Sequence, residues 1–103
     1  MINKVTEIGN LTKDIELKKL PSGTSVINFT IAVNEKTKQG DQFKEYAHFF
    51  DCVCYGKLAE NCAKYLSKGS LVGVSGRLRQ SRWEKDNQKK RRIEIVIEDI
   101  QFL

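Results

Sequence analysis

Between Ser25 and Asn34 apolar and polar positions alternate with a period of two. Ile27, Phe29, Ile31 and Val33 fall on one side, and Asn28, Thr30, Ala32 and Asn34 on the other. Successive side chains of a strand point to opposite faces, so this pattern predicts a half-buried strand. A second strand is predicted over Glu45–Tyr55, which is aromatic and β-branched and holds neither proline nor glycine. Its alternation puts His48, Phe50, Cys52 and Cys54 on one face, and Ala47, Phe49, Asp51, Val53 and Tyr55 on the other. The cysteines suit a core. The opposite face, with two aromatic rings and a carboxylate, suits a surface that touches something flat. After Gly56 the period changes to about 3.6. Leu58, Cys62, Tyr65 and Leu66 then form one helical stripe flanked by Ala59 and Ala63, with Lys57, Glu60, Asn61 and Lys64 turned to water. Lys68 and Gly69 predict the stop, the glycine taking a left-handed cap.

The remaining segments read as strands and turns. Ile2–Leu11 has Val5, Ile8 and Leu11 as anchors, with Gly9 marking a bend. Asp14–Leu20 resumes an extended pattern, and Pro21-Ser22-Gly23-Thr24 is a turn. Glu35–Lys44 is polar up to Phe43 and predicts a long exposed hairpin loop. Ser70–Trp83 is a strand with Val72, Val74 and Leu78 on one face, and Gly73 and Gly76 suggest strong curvature. Arg77, Arg79 and Trp83 share the other parity. A turn around Asp86-Asn87 leads into the last strand, Arg91–Leu103, with Ile93, Ile95 and Ile97 followed by Ile100 and Phe102. The order is three strands, one helix, two strands. That order predicts an all-β fold, a five-stranded OB-fold (Greek-key) barrel with its helix between strands 3 and 4, occupying residues 1–103 as one domain. Such barrels bind oligonucleotides across one face and its loops.

Composition narrows the functional classes. Hydrophobic residues at 40% and charged residues at 30% are the balance of a folding chain. No apolar run is long enough to span a membrane, and Lys4, Glu7 and Asn10 interrupt any signal-peptide core. A soluble, cytoplasmic protein with no membrane partner is expected. The formal net charge is +5, and its excess sits in one place. Arg77, Arg79, Arg82, Lys85, Lys89, Lys90, Arg91 and Arg92 stand there against only Glu84 and Asp86. Such a basic stripe is the electrostatic footprint of a polyanion binder. Cys52, Cys54 and Cys62 with His48 nominally make a Cys3His zinc set. Cys-x-Cys on a strand, however, turns both sulfurs to one face, as core packing does, so no metal and no cofactor is expected. With one histidine, no glycine-rich phosphate loop and no carboxylates clustered around a nucleophile, the chain is not expected to be an enzyme.

Several stretches carry a resemblance. They are Asn3-Lys4-Val5, Ile8-Gly9-Asn10-Leu11-Thr12-Lys13-Asp14, Pro21-Ser22-Gly23 and Asn28-Phe29-Thr30-Ile31-Ala32-Val33-Asn34. Gly56-Lys57-Leu58-Ala59-Glu60-Asn61, Tyr65-Leu66-Ser67-Lys68-Gly69-Ser70 and Gly76-Arg77-Leu78 continue the series. In sequence and order these resemble the DNA-binding domain of bacterial single-stranded DNA-binding proteins over essentially the whole chain. The resemblance implies a homotetramer that wraps single-stranded DNA and protects it in replication, recombination or repair, with Phe49, Tyr55 and Trp83 as the stacking aromatics. A further aromatic that many members carry would lie near Thr37 and is missing; Phe43, Lys36 and Lys38 stand nearby. Members commonly continue into a flexible glycine-rich tail ending in an acidic peptide. This sequence stops at Gln101-Phe102-Leu103, so tail-mediated recruitment of repair proteins is not expected from it.

The residue chemistry agrees with that implication. Sequence-tolerant binding of single strands needs π-faces for bases and a positive groove for phosphates, and stacking contributes roughly 1–3 kcal/mol per base. Arg77, Arg79, Arg82, Lys85, Lys89, Lys90, Arg91 and Arg92 would release counterions, and Lys13, with Thr12 and Lys18, would touch phosphate. The competing class is a protein-interaction module of the primosome accessory type on the same fold. The retained aromatic set beside a basic hairpin discriminates against it.

Overall fold

The computed structural model describes residues 1–103. Its strands are β1 (Val5–Leu11), β2 (Lys18–Lys19), β3 (Ser25–Gln39), β4 (Gln42–Tyr55), β5 (Leu71–Lys85) and β6 (Gln88–Phe102), and helix α1 (Gly56–Tyr65) lies between β4 and β5. They pair in the order β1-β5-β6-β4-β3-β2, and an additional β1–β3 pairing closes the five long strands into a barrel. This is the expected OB-fold. The two-residue β2, paired with Ser25 and Val26, is all that remains of the extended segment predicted over Asp14–Leu20.

Closure depends on two glycines and a bulge. β1 pairs with β5 from Val5 to Asn10 and with β3 at Asn10 and Leu11. At Gly9, where it passes from one partner to the other, a Cβ would lie 2.6 Å from the Ala32 carbonyl oxygen. On the other side of the barrel, Ser75 pairs with Asp99 but Gly76 with Ile97, leaving Glu98 as the extra residue. The bulge changes the parity of β6, so Ile95, Ile97 and then Ile100 all reach the core. Any side chain at Gly76 would overlap the Val96 carbonyl.

The core gathers Ile27, Phe29 and Ile31 of β3, Cys52 and Cys54 of β4, Ala59 and Cys62 of α1, Val72 and Val74 of β5, and Ile95 and Ile97 of β6. The alternation read from the sequence therefore holds through the barrel. Beyond its rim, inward parity no longer means burial: Leu78 and Ile93 are exposed. Ile8, expected as an anchor, is also exposed, on the outside of β1.

Three other expectations are corrected. The polar stretch Glu35–Lys44 is not a loop: the β3–β4 ladder continues to Gln39↔Gln42. The turn is Gly40-Asp41, with a positive φ (63°) at Gly40 only, as a type II′ hairpin requires. Polar residues on both faces erase the period-two signal, and turn geometry sets the register instead. Helix α1 stops at Leu66, which is extended (φ −102°, ψ 141°), not at Gly69. Burial of Leu66 in the core draws the chain out of the helix, and Gly69 takes its positive φ (91°) in the following turn, donating to the Leu11 carbonyl at 2.8 Å. Tyr65 leaves the predicted buried stripe. It is 68% exposed and packs on Phe102 with ring centroids 6.0 Å apart, while Ala59 takes the centre of the buried face.

Candidate functional site

The outward parity of four strands builds one surface. Val26, Val53 and Val96, from β3, β4 and β6, are buried together on it with Tyr55 packed against them. Around this apolar floor runs a groove. Its polar part, a space of about 190 Å³, is lined by Thr12, Lys13, Asp14, Asn28, Thr30, Asp51, Arg92 and Glu94 among others. An adjoining space of about 380 Å³ is lined by Lys18, Lys19, Leu20, Tyr55, Arg79 and Ser81, and it shares Asn28, Arg92 and Glu94 with the first.

Glu94 organises the centre. It is 3% exposed although charged, and a buried carboxylate has to be paired. Its Oε1 accepts from Arg79 Nη2 at 2.7 Å and from Nε at 3.2 Å, and Arg92 Nη2 lies 3.6 Å from Oε2. Arg79 also donates to the Tyr55 hydroxyl at 2.7 Å and lies 5.6 Å over the ring. The hydrogen bond to Glu94, and then that to Tyr55, holds the guanidinium's pKa above its ordinary value. Arg79 is thus committed to Glu94, and it caps the hydroxyl end of Tyr55. Arg92 reaches the other way, 5.7 Å from the centroid of the Trp83 ring, and so joins the groove to the β5–β6 hairpin.

That hairpin turns at Asp86 and Asn87, both with positive φ (53° and 61°), the type I′ pattern. Trp83 stands opposite Lys90 and is 44% exposed. With Arg82, Glu84, Lys89, Lys90 and Arg91 it lines a cleft of about 570 Å³. Arg82 and Arg91 are direct cross-strand neighbours. Like charges placed opposite each other destabilise a ladder, which points to an external use for them. Lys85 lies nearest the tip, opposite Gln88, and Arg77 lies exposed near the barrel, opposite Val96.

The β3–β4 hairpin carries the outward parity further. Lys36 pairs with Glu45 and Lys38 with Phe43, placing both lysines, Phe43 and Phe49 on the face that holds Asp51 and Tyr55. Phe49 is 64% exposed and borders a cleft of about 310 Å³ with Phe50, Leu78 and Ile93, where the two hairpins diverge. Of the residues singled out from the sequence, Tyr55, Arg79 and Lys13 meet in the groove. Arg82, Lys89 and Arg91 gather with Trp83 on one hairpin, and Lys36 and Lys38 lie on the other. Glu94, Asn28 and the Thr30–Asp51 pair were not singled out. Strand parity places each on the outward face, but nothing local to the sequence tells which outward residues meet.

The thiols lie inside. Cys52, Cys54 and Cys62 are free and buried, and no three His, Cys, Asp or Glu side chains are grouped to hold a metal ion. Burial, with a smaller contribution from Asp51, pushes Cys52 up to about 12. The hydrogen bond between Cys54 and Cys62, followed by burial, raises Cys54. No helix is long and apolar enough to cross a membrane.

Comparison with known proteins places these features. A profile described as "Single-strand binding protein family" matches residues 2–103. The single-stranded DNA-binding protein of Aquifex aeolicus (strain VF5) is 47% identical over 104 residues, which span 100% of this chain and 71% of that protein. The protein of that name from Treponema pallidum (strain Nichols) is 41% identical over 102 residues, 99% of this chain and 58% of its own length. Among solved structures, a deletion mutant of the single-stranded DNA binding protein from Thermus aquaticus superposes with a TM-score of 0.87 at 30% identity. That likeness covers 99% of this chain and 50% of the other.

Proposed function

The chain belongs to the single-strand binding protein family, and on that premise we propose that it binds and protects single-stranded DNA of any sequence by stacking bases on exposed aromatics and holding phosphates with the flanking cations. Phe49, Tyr55 and Trp83 are the stacking residues, joined by Phe43, and Arg77, Arg82, Lys85, Lys89, Arg91, Lys36, Lys38 and Lys13 are the phosphate contacts. Arg79, committed to Glu94, acts from the floor of the groove. The observation that carries the reading is a run of rings along one outward surface, Phe43, Phe49 and Trp83 exposed and Tyr55 half-buried, interleaved with cations from both hairpins. A π-face accepts any base, and counterion release supplies affinity without reading sequence.

The process served is DNA replication, recombination or repair in the cytoplasm at the nucleoid, with no catalytic step. We read the chain as one subunit of a homo-oligomer, a tetramer. Exposed Ile8, Leu71 and Leu103 outside the barrel support self-association, and light scattering at several concentrations measures it. Trp83 is the only tryptophan, so its fluorescence tests the main reading directly. Oligo-dT should quench it deeply and keep most of that effect at high salt, whereas duplex of equal length should quench it little. No quenching, or equal and wholly salt-sensitive binding to both, would give the site to a protein partner instead.

A further inference from the structure

Three carboxylates line the polar part of the groove: Asp14, Asp51 and Glu94. Glu94 is fully engaged, and Asp14 is tied to the main chain of the turn after the helix. Asp14 accepts the Lys68 main-chain N–H at 2.7 Å, and Glu94 is held by Arg79 and Arg92. Asp51 takes part in none of the chain's ion pairs. Its one hydrogen bond is from the Thr30 hydroxyl, 2.9 Å from Oδ1. That bond fixes the side chain and leaves most of the carboxylate's acceptor capacity open. Asp51 lies on the outward parity between Phe49 and Val53, so it faces the path on which stacked bases would run.

A carboxylate on the path of a polyanion repels phosphate. It is compatible with binding where it meets base edges, and it can only accept hydrogen bonds. Cytosine presents the N4 amino donor at the position where thymine presents the O4 acceptor, and Asp accepting from cytosine N4 is an established pairing. Resting on the single-stranded DNA reading above, we propose that Asp51, oriented by Thr30, is a specificity-determining residue that gives this otherwise indifferent groove a local preference for cytosine over thymine. Stacking does not cancel the preference, because both pyrimidines offer the same kind of π-face. The groove space of about 190 Å³ limits the effect to a base or so per subunit, so the protein still binds every sequence.

The experiment is competition between oligo-dC and oligo-dT of equal length at one salt concentration, with the wild-type chain and Asp51→Asn. The amide offers both a donor and an acceptor, so it accommodates either base. Loss of the charge tightens binding to both oligonucleotides, and the ratio of affinities removes that common effect. The dC:dT affinity ratio should fall about tenfold in Asp51→Asn, within the range expected of one base-edge contact. A ratio unchanged within about twofold, with both oligonucleotides bound, overturns the proposal and leaves Asp51 as a structural partner of Thr30. A wild-type protein that binds neither oligonucleotide refutes the underlying function instead. A second measurement needs no variant: an oligonucleotide whose cytosines lack the 4-amino group should bind the wild-type chain about tenfold more weakly than oligo-dC. Equal binding also overturns the proposal.

Discussion

Trp83 shows how little of a binding residue's role is needed for folding. It lies beyond the barrel rim, half exposed, with the Arg92 guanidinium 5.7 Å from its ring centroid. Trp83→Ala and Phe49→Ala should each weaken oligo-dT binding by roughly 1–3 kcal/mol, measured by fluorescence anisotropy of labelled DNA. The unfolding free energy from urea titration should change by less than about 0.5 kcal/mol, because neither ring belongs to the core. Cys52 is the converse case, invisible to ligand and sensitive to pH. Its thiol titrates at about 12 when folded, against an ordinary 9.0. The unfolded chain therefore loses this proton first, and the contribution to stability is complete below about pH 9. Between about pH 9 and 12 it declines by up to about 1.4 kcal/mol per pH unit. Cys52→Ala should be less stable at pH 7, but its stability should fall less steeply from pH 8 to 10. The other titratable groups are common to both proteins, so the difference between the two pH profiles reports on Cys52.

Elements were legible where one face was buried and illegible where none was. The alternation of Ile27, Phe29 and Ile31 marks β3, and the change of period after Gly56 marks the helix, because burial enforces each pattern locally. The outer ends of β3 and β4, residues 35–39 and 42–44, lack such a pattern, and only the ladder reveals them as strands. The helix end was misplaced because burial of Leu66, a long-range effect, outweighed a local glycine signal. Glycines separate the same two kinds of information. At Gly40 nothing lies within 4 Å of an added Cβ, so Gly40→Ala costs only the strain of its positive φ, about 1 kcal/mol. At Gly76 the Val96 backbone occupies that space, and Gly76→Ala should destabilise by about 1–3 kcal/mol or more as the bulge shifts. Thermal and urea unfolding of the two variants side by side checks the order; equal losses would show that the bulge yields easily.

At the scale of the whole molecule, the barrel holds two hairpins beyond its rim, of which β5–β6 carries the cationic excess, and the long axis of the molecule is 55 Å against 37 and 31 Å for the others. Affinity for a single strand should fall with salt by about 0.7 in the log–log slope for each phosphate contact. Replacing Lys85, Lys89 and Arg91 together by alanine should flatten that slope by about two. Oligo-dT titrations from 50 to 500 mM salt check this. An unchanged slope would remove the β5–β6 hairpin from the DNA path.

The sequence by itself determined the strands and the helix that bury one face, most of the side chains that enter the core, and that Phe49, Asp51 and Tyr55 share an outward face. Those properties depend on the period of a few neighbouring residues, and burial writes that period into the chain. It also marked the basic hairpin, since charge is additive along a segment. Only the tertiary structure decided that Tyr55, Arg79 and Glu94 meet. That meeting depends on the short parallel pairing of β4 with β6, on the bulge at Glu98 and on closure of β1 against β3. Each joins residues far apart in the chain, where a one-residue slip would turn every side chain to the other face.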